Sequence, residues 1–108
     1  MKQDPEHLIL PKAFQFEIIS LRLEKEPQDG GEPFLDLKLR RGPENKLLRF
    51  WSPTDLEIER GGPIMTHGLV IRDIRDRGLD RIGVEVDDFE CSSGKVRFLA
   101  RAVEELSV

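Results

Sequence analysis

The side chains in this sequence best suited to nucleophilic or acid–base chemistry are two histidines and a lone cysteine. His67 stands in a glycine-framed loop at 61–68, and loops carry binding residues more often than strands do. The loop matches neither glycine-rich phosphate-binding pattern, and the nucleophile-elbow pattern G-x-S-x-G is missing from the chain. Acids beside Cys91 disfavour its thiolate, the nucleophilic form. We therefore predict no catalytic residue and take His67 as a candidate binding residue.

A group of acids at Glu85, Asp87, Asp88 and Glu90 offers a second kind of chemistry. Two neighbouring carboxylates can serve as the acid and the base of glycoside hydrolysis. A chain of 108 residues leaves little room for a deep sugar cleft, which disfavours that use. An alternative function stays open, in which a small-molecule-binding or enzymatic domain uses the loop around His67 and the acidic strand end Asp87-Asp88.

The densest charged stretch is 72–81, where Arg72, Arg75 and Arg77 alternate with aspartates. The spacing of these aspartates does not fit the calcium-binding loop pattern, and each has a basic neighbour. We therefore predict no metal site and no cofactor. The stretch is interpreted as a solvated charged turn, or as a charged surface for a partner in which the three arginines bind.

Trp51 is the sole tryptophan and follows Phe50. Strand alternation puts Phe50 on one face and Trp51 on the other, together with Leu47 and with Arg49 between them. Two interpretations follow. Either both faces of this strand are covered, as is usual for large aromatic residues, or Trp51 and Leu47 stand exposed as a binding patch. In the second case Trp51 and the nearby Arg49 are candidate binding residues, with the composition of an interface hot spot.

Composition limits the classes of function. Hydrophobic residues make up 38% of the chain and charged residues 35%, which suffices for one core. No apolar run approaches the roughly 18 residues that a membrane span needs, and no signal peptide is visible. The net charge of −4 disfavours nucleic acid as a partner. The single cysteine fits a reducing compartment, so we expect a cytoplasmic protein.

Glycine and proline recur at short intervals, and most segments between them alternate with a period of two. A slip of this alternation at Ile18-Ile19 predicts a β-bulge. A loop at 41–45 predicts a hairpin between its flanking strands, whereas 55–59 fits a strand or one helical turn, and we favour the strand. The predicted strands cover 14–23, 34–40, 46–51, 55–59, 69–74, 82–86 and 95–103.

These elements predict an all-β fold, a single-domain antiparallel sandwich of about seven short strands. A partly open barrel is the alternative. We expect one domain over 1–108, in which 1–12 forms an N-terminal segment with a short helical turn before Pro11, and 14–104 forms the β-domain.

The predicted function is a non-catalytic module that binds another protein, as an inhibitor, adaptor or accessory subunit. No membrane or nucleic acid is expected as a partner. A homodimer through an edge strand is a further expectation, with 35–39 or 96–102 supplying the edge.

Overall fold

Two four-stranded antiparallel sheets pack face to face in the computed structural model, which describes residues 5–58, 69–88 and 96–107. The sheets do not close into a barrel, so the predicted sandwich is confirmed and the barrel alternative is not. The strands are β1 (Glu17–Glu24), β2 (Phe34–Arg41), β3 (Glu44–Trp51), β4 (Thr54–Ile58), β5 (Leu69–Asp73), β6 (Val84–Asp88), β7 (Val96–Ala100) and β8 (Ala102–Leu106).

The first sheet has the strand order β1-β2-β3-β8, and the second has β4-β7-β6-β5. The chain crosses between the sheets twice at one corner, through Ser52-Pro53 after β3 and through Arg101 after β7. The Arg101 N–H donates to the Trp51 carbonyl at 2.8 Å, which holds the two crossings together. The single strand predicted at 95–103 was therefore wrong: it is two strands, in different sheets, divided at Arg101.

The core lies between the inner faces of the sheets and is built by period-two alternation. Leu35, Leu37 and Leu39 of β2 are fully buried, as the sequence predicted. Phe50 of the first sheet meets Phe98 of the second edge to face, with ring centroids 5.0 Å apart. This pair joins the two halves of the core.

The hairpin of β2 and β3 is tighter than the sequence predicted. The turn is Gly42–Pro43 alone, because Arg41 and Glu44 already pair across the strands. Gly42 takes a φ of +57°, the left-handed conformation that a two-residue hairpin turn needs and that glycine adopts without strain. The bulge predicted at Ile18-Ile19 is confirmed, since the β1 register shifts between Ile18 and Ser20.

The N-terminal segment forms a short edge pairing where a helical turn was predicted. Glu6 bridges to Arg72, and the His7 N–H donates to the Ile71 carbonyl at 2.7 Å. The open backbone groups of β5 thus fix Glu6 and His7 in extended form. A single hydrogen-bonded turn follows before Pro11, in which the Leu10 N–H donates to the His7 carbonyl at 3.4 Å, and one turn of 3-10 helix comes after it, at Ala13–Gln15.

The two predicted edge segments are wrong. Residues 35–39 lie in β2, between β1 and β3, and most of 96–102 lies in β7, between β4 and β6. Alternation reports which face a side chain occupies but not the order of the strands. Among the strands of the described ranges, β1, β8, β4 and β5 are at the edges of the sheets. In the described ranges no helix has the length and apolar character to cross a bilayer.

Candidate functional site

Arg49 lies at the centre of the outer face of the first sheet, in contact with three neighbours. Its Nε and Nη2 donate to the two carboxylate oxygens of Asp36, each at 2.9 Å. Its guanidinium carbon lies 3.7 Å from the centroid of the Phe34 ring and 5.5 Å from that of Trp51. We call Phe34, Asp36, Arg49 and Trp51 the aromatic–arginine cluster.

The hairpin register places these side chains together. Asp36 pairs directly with Arg49, and Phe34 with Trp51, so adjacent cross-strand pairs share one face. The rings of Phe34 and Trp51 meet edge to face at 5.9 Å. Each member therefore limits the rotamers of the others, and the cluster exists before any partner binds.

The electrostatics of the cluster keep Arg49 charged. The hydrogen bonds to Asp36 raise the pKa of Arg49 above its usual value, and nearby carboxylates add to this effect. The side chains of Asp36 and Arg49 are only 11% and 24% exposed. Nη1 makes no hydrogen bond to any described residue, so the cluster offers N–H donors to an external acceptor.

Half-buried apolar side chains surround the cluster on the same face. Leu47 of β3 pairs with Leu106 of β8, and Trp51 pairs with Ala102. Strand alternation turns all four away from the core, because Leu48 and Phe50 between them are fully buried. Trp51 is therefore neither of the two extremes considered from sequence: it is half-buried, with Arg49 against its ring.

The outer face of the second sheet carries a network of ion pairs and has no counterpart of the aromatic–arginine cluster among the described residues. Arg72 contacts Glu85 at 3.1 Å, and Arg97 contacts Asp87 at 3.1 Å. Arg77 reaches the same Glu85 carboxylate at 3.6 Å. The predicted binding residues Arg72 and Arg77 thus lie in an ion-pair network, on the opposite side of the sandwich from Arg49 and Trp51.

Arg75, the third predicted arginine of this stretch, binds Asp73 with N–O distances down to 2.6 Å. Hydrogen bonds from the Arg75 side chain, and then from its backbone N–H, lower the pKa of Asp73 to about 2. Asp73 itself is held by its backbone, since its N–H donates to the Pro5 carbonyl at 2.9 Å. Arg75 therefore shapes the turn after β5.

We expect Arg75→Gln to raise the pKa of Asp73 from about 2 toward the usual 3.8, because the loss of the guanidinium removes the main stabiliser of the carboxylate. A carboxyl-carbon NMR titration measures this value. Arg77→Gln is the matched control and leaves the Asp73 pKa unchanged. An unchanged pKa in the Arg75 variant contradicts the assignment.

The stability consequence follows from the direction of this shift. The pKa of Asp73 is lower in the folded state than in the unfolded state. The ionised carboxylate therefore adds to the free energy of unfolding above pH 3.8, and this contribution is lost as the pH falls through about 2.

The pocket suggested by His67, Asp87 and Asp88 is not assembled among the described residues. His67 lies outside them. Asp87 points outward toward Arg97, whereas Asp88 is 1% exposed and faces the interior, so the two carboxylates diverge. Residues 5–58, 69–88 and 96–107 contain no group of three or more His, Cys, Asp or Glu side chains that could hold a metal ion.

A feature that the sequence did not indicate is a cavity of about 600 Å³ at the corner between the sheets. Glu32 accepts hydrogen bonds there from Arg101, at 2.7 and 2.9 Å, and from Ser52. These bonds lower the pKa of Glu32, that from Arg101 most. Ser52 and Arg81, which also line the cavity, have left-handed φ values of 51° and 60°. Through these contacts Glu32, just before β2, is bound to both segments at which the chain crosses between the sheets, Ser52-Pro53 and Arg101.

No family model, curated protein sequence or solved structure matches this chain. A function therefore has to follow from the chemistry of the described faces. The two residues of the cluster that sequence reasoning missed are Phe34 and Asp36. The sequence does contain the information that places them. If the hairpin turn is assigned to Gly42–Pro43, the resulting strand register pairs Asp36 with Arg49 and Phe34 with Trp51.

Proposed function

We propose that this protein is a non-catalytic protein-binding module and that its binding surface is the outer face of the first sheet. The observation that carries the proposal is the aromatic–arginine cluster, an oriented guanidinium that packs against two aromatic rings and has apolar neighbours. Tryptophan and arginine are the residue types most enriched at interface hot spots.

The difference between the two outer faces supports this choice. On the second sheet, arginines and acids neutralise each other in pairs, which suits a solvated surface. On the first sheet, apolar pairs of β3 and β8 flank Arg49: Trp51 with Ala102, and Leu47 with Leu106. Apolar side chains beside a fixed ion pair that is largely shielded from solvent are typical of the core of a protein interface.

The fixed geometry of Arg49 also favours binding. The contacts to Asp36, Phe34 and Trp51 already restrict its long side chain, so little conformational entropy remains to be lost in a complex. Its Nη1 donors suit a carboxylate or a backbone carbonyl of the partner. The lone cysteine supports a reducing compartment such as the cytoplasm as the place of this interaction.

A photo-crosslinking experiment in the native host tests the proposal. The crosslinking residue p-benzoylphenylalanine replaces Leu47 on the proposed face, or Val70 on the outer face of the second sheet as the matched control. We expect a protein adduct of defined mass from position 47 and none from position 70. Adding Trp51→Ala to the position-47 variant should reduce this adduct at least tenfold, as expected when a hot-spot residue is truncated.

Circular dichroism and urea unfolding establish that each variant is folded before its adducts are compared. Adducts of equal yield from positions 47 and 70, or an adduct unaffected by both Trp51→Ala and Arg49→Gln, would contradict the proposed face. The absence of any adduct at position 47 would contradict it as well.

A further inference from the structure

We infer that the partner adds an extended strand to the edge of β8, with a cationic side chain opposite Glu104 and apolar side chains two residues to either side. This inference rests on the proposed function, because the edge borders the aromatic–arginine cluster. It names the class of partner segment: a basic, alternating peptide that lengthens the first sheet.

β8 is the most suitable of the sheet edges for strand addition. Its register with β3 runs through consecutive pairs without a shift. The register of β1 is broken by the bulge at Ile18/Ser20, and that of β4 by a shift between Thr54 and Glu57. The edge of β5 is already occupied by the N-terminal segment. Among the described residues, β8 has a strand neighbour on one side alone, so its other side presents unpaired backbone groups.

The charge on the added strand follows from a row of side chains across the outer face. Arg22 of β1 stands opposite Asp36, Asp36 opposite Arg49, and Arg49 opposite Glu104. The signs alternate along this row, and Glu104 ends it. Glu104 makes no ion pair with any described residue. Arg49 is its cross-strand neighbour on β3. A cation on the next strand would continue the alternation and give this carboxylate a second cationic neighbour, on its open side.

The residues flanking that cation follow from the neighbouring rows. Ala102 and Leu106 lie two positions to either side of Glu104 on the same face. Side chains opposite them meet apolar surface. Because Ala102 is small, an apolar side chain on the added strand can reach across it to the indole of Trp51. Strand addition and the aromatic–arginine cluster thus act on the same partner segment.

A second copy of this chain is a poor occupant of the edge. Pairing two β8 strands about a two-fold axis at Glu104 would set two carboxylates opposite each other, which is destabilising. The neighbouring Glu105 is also an acid, and Lys46, the cation in contact with it at 3.3 Å, belongs to β3, so β8 itself supplies no cation to offset this repulsion.

Two blocked peptides test the inference: Thr-Leu-Thr-Arg-Thr-Leu-Thr, and the same peptide with glutamate at its centre. Trp51, the sole tryptophan, reports binding by its fluorescence. We expect saturable binding of the arginine peptide, about tenfold tighter than that of the glutamate peptide. In Glu104→Arg the preference should reverse. Glu26→Arg makes the same change of charge at an exposed turn position and should keep the wild-type preference.

N-methylated peptides then separate strand addition from other ways of binding the same face. The arginine peptide is methylated either on its odd-numbered amides or on its even-numbered amides, so that one hydrogen-bonding edge is blocked at a time. If the peptide pairs with β8, one of the two methylated peptides should bind at least tenfold more weakly than the unmethylated peptide, whereas the other should bind with unchanged affinity.

The outcomes distinguish this inference from the proposed function. Equal binding by both methylated peptides, no preference between the arginine and glutamate peptides, or no binding at all would overturn strand addition at β8. The crosslink from position 47 would still support the binding face in each of these cases. A dimeric mass in sedimentation that Glu104→Arg strengthens would also overturn the inference, by assigning the edge to a second copy.

Discussion

Replacing Phe98 with alanine should lower the free energy of unfolding by about 3–5 kcal/mol. Phe98 is 2% exposed and meets Phe50 of the opposite sheet at 5.0 Å. Truncation removes buried apolar surface and leaves a cavity between two sheets that are each fixed by their own hydrogen bonds, so the gap cannot close. Urea unfolding followed by circular dichroism measures the loss.

Phe14→Ala is the matched control for this change, because Phe14 is 40% exposed. We expect it to cost less than about 1 kcal/mol. Comparable losses in the two variants would mean that the Phe50–Phe98 contact does not join the core in the way described here. A double-mutant cycle on Phe50 and Phe98 isolates the aromatic contact, which should contribute about 0.5–1.5 kcal/mol.

The second large effect is expected at the ion pair of the aromatic–arginine cluster. Arg49→Met should destabilise the fold by about 2–3 kcal/mol, since it leaves the Asp36 carboxylate, 11% exposed, without its two N–H donors. The double variant Asp36→Leu/Arg49→Met should recover most of this loss, because it removes the buried charge together with its partner. Thermal and urea unfolding of both variants measure these differences.

An exposed ion pair between β1 and β2 of the same sheet provides the control. Arg40 contacts Glu17 at 2.7 Å, but both side chains are about half exposed, at 50% and 51%. Arg40→Met should therefore cost less than about 0.5 kcal/mol. If the double variant at Asp36 and Arg49 is less stable than Arg49→Met alone, the ion pair is not the source of the effect.

The sequence predicts the strands of this fold better than their arrangement. In β2, leucines alternate with polar residues, and a single buried face follows directly. In 95–103 the same alternation continues through Arg101, although the strand there leaves one sheet for the other. Period-two patterning reports faces only. It does not indicate where a chain passes from one sheet to the other, so the division of 95–103 into β7 and β8 could not be predicted from the sequence.

Near the N-terminus, pairing with a distant strand decides the conformation of Glu6 and His7, and the local sequence does not indicate it. The Asp-Pro pair suggests a helical turn, and nothing nearby in sequence indicates otherwise. The edge of β5 offers its backbone groups to the segment, and pairing with Glu6 and His7 fixes an extended conformation. An interaction with residues so far along the chain cannot be derived from the segment itself.

At the candidate site, the sequence identified Arg49 and Trp51 but posed their environment as a choice between burial and exposure. In the structure both side chains are half-buried, because Asp36 and Phe34 cover part of Arg49 and Phe34 packs against Trp51. The ion-paired arginines Arg72 and Arg77 show the opposite problem. Their charges were evident from the sequence, whereas the acids that neutralise them on β6 depend on strand pairing.

The strand order of the first sheet has a consequence for when the proposed binding face comes into existence during synthesis. Lys46 and Glu105, which contact each other across β3 and β8, are 59 residues apart in the chain. A ribosome releases β1, β2 and β3 early, and this hairpin region can pair as soon as it emerges. Ala102, Glu104 and Leu106 follow only after every strand of the second sheet. The aromatic–arginine cluster therefore forms first with an open flank, and a nascent chain lacks the edge that would receive a partner strand.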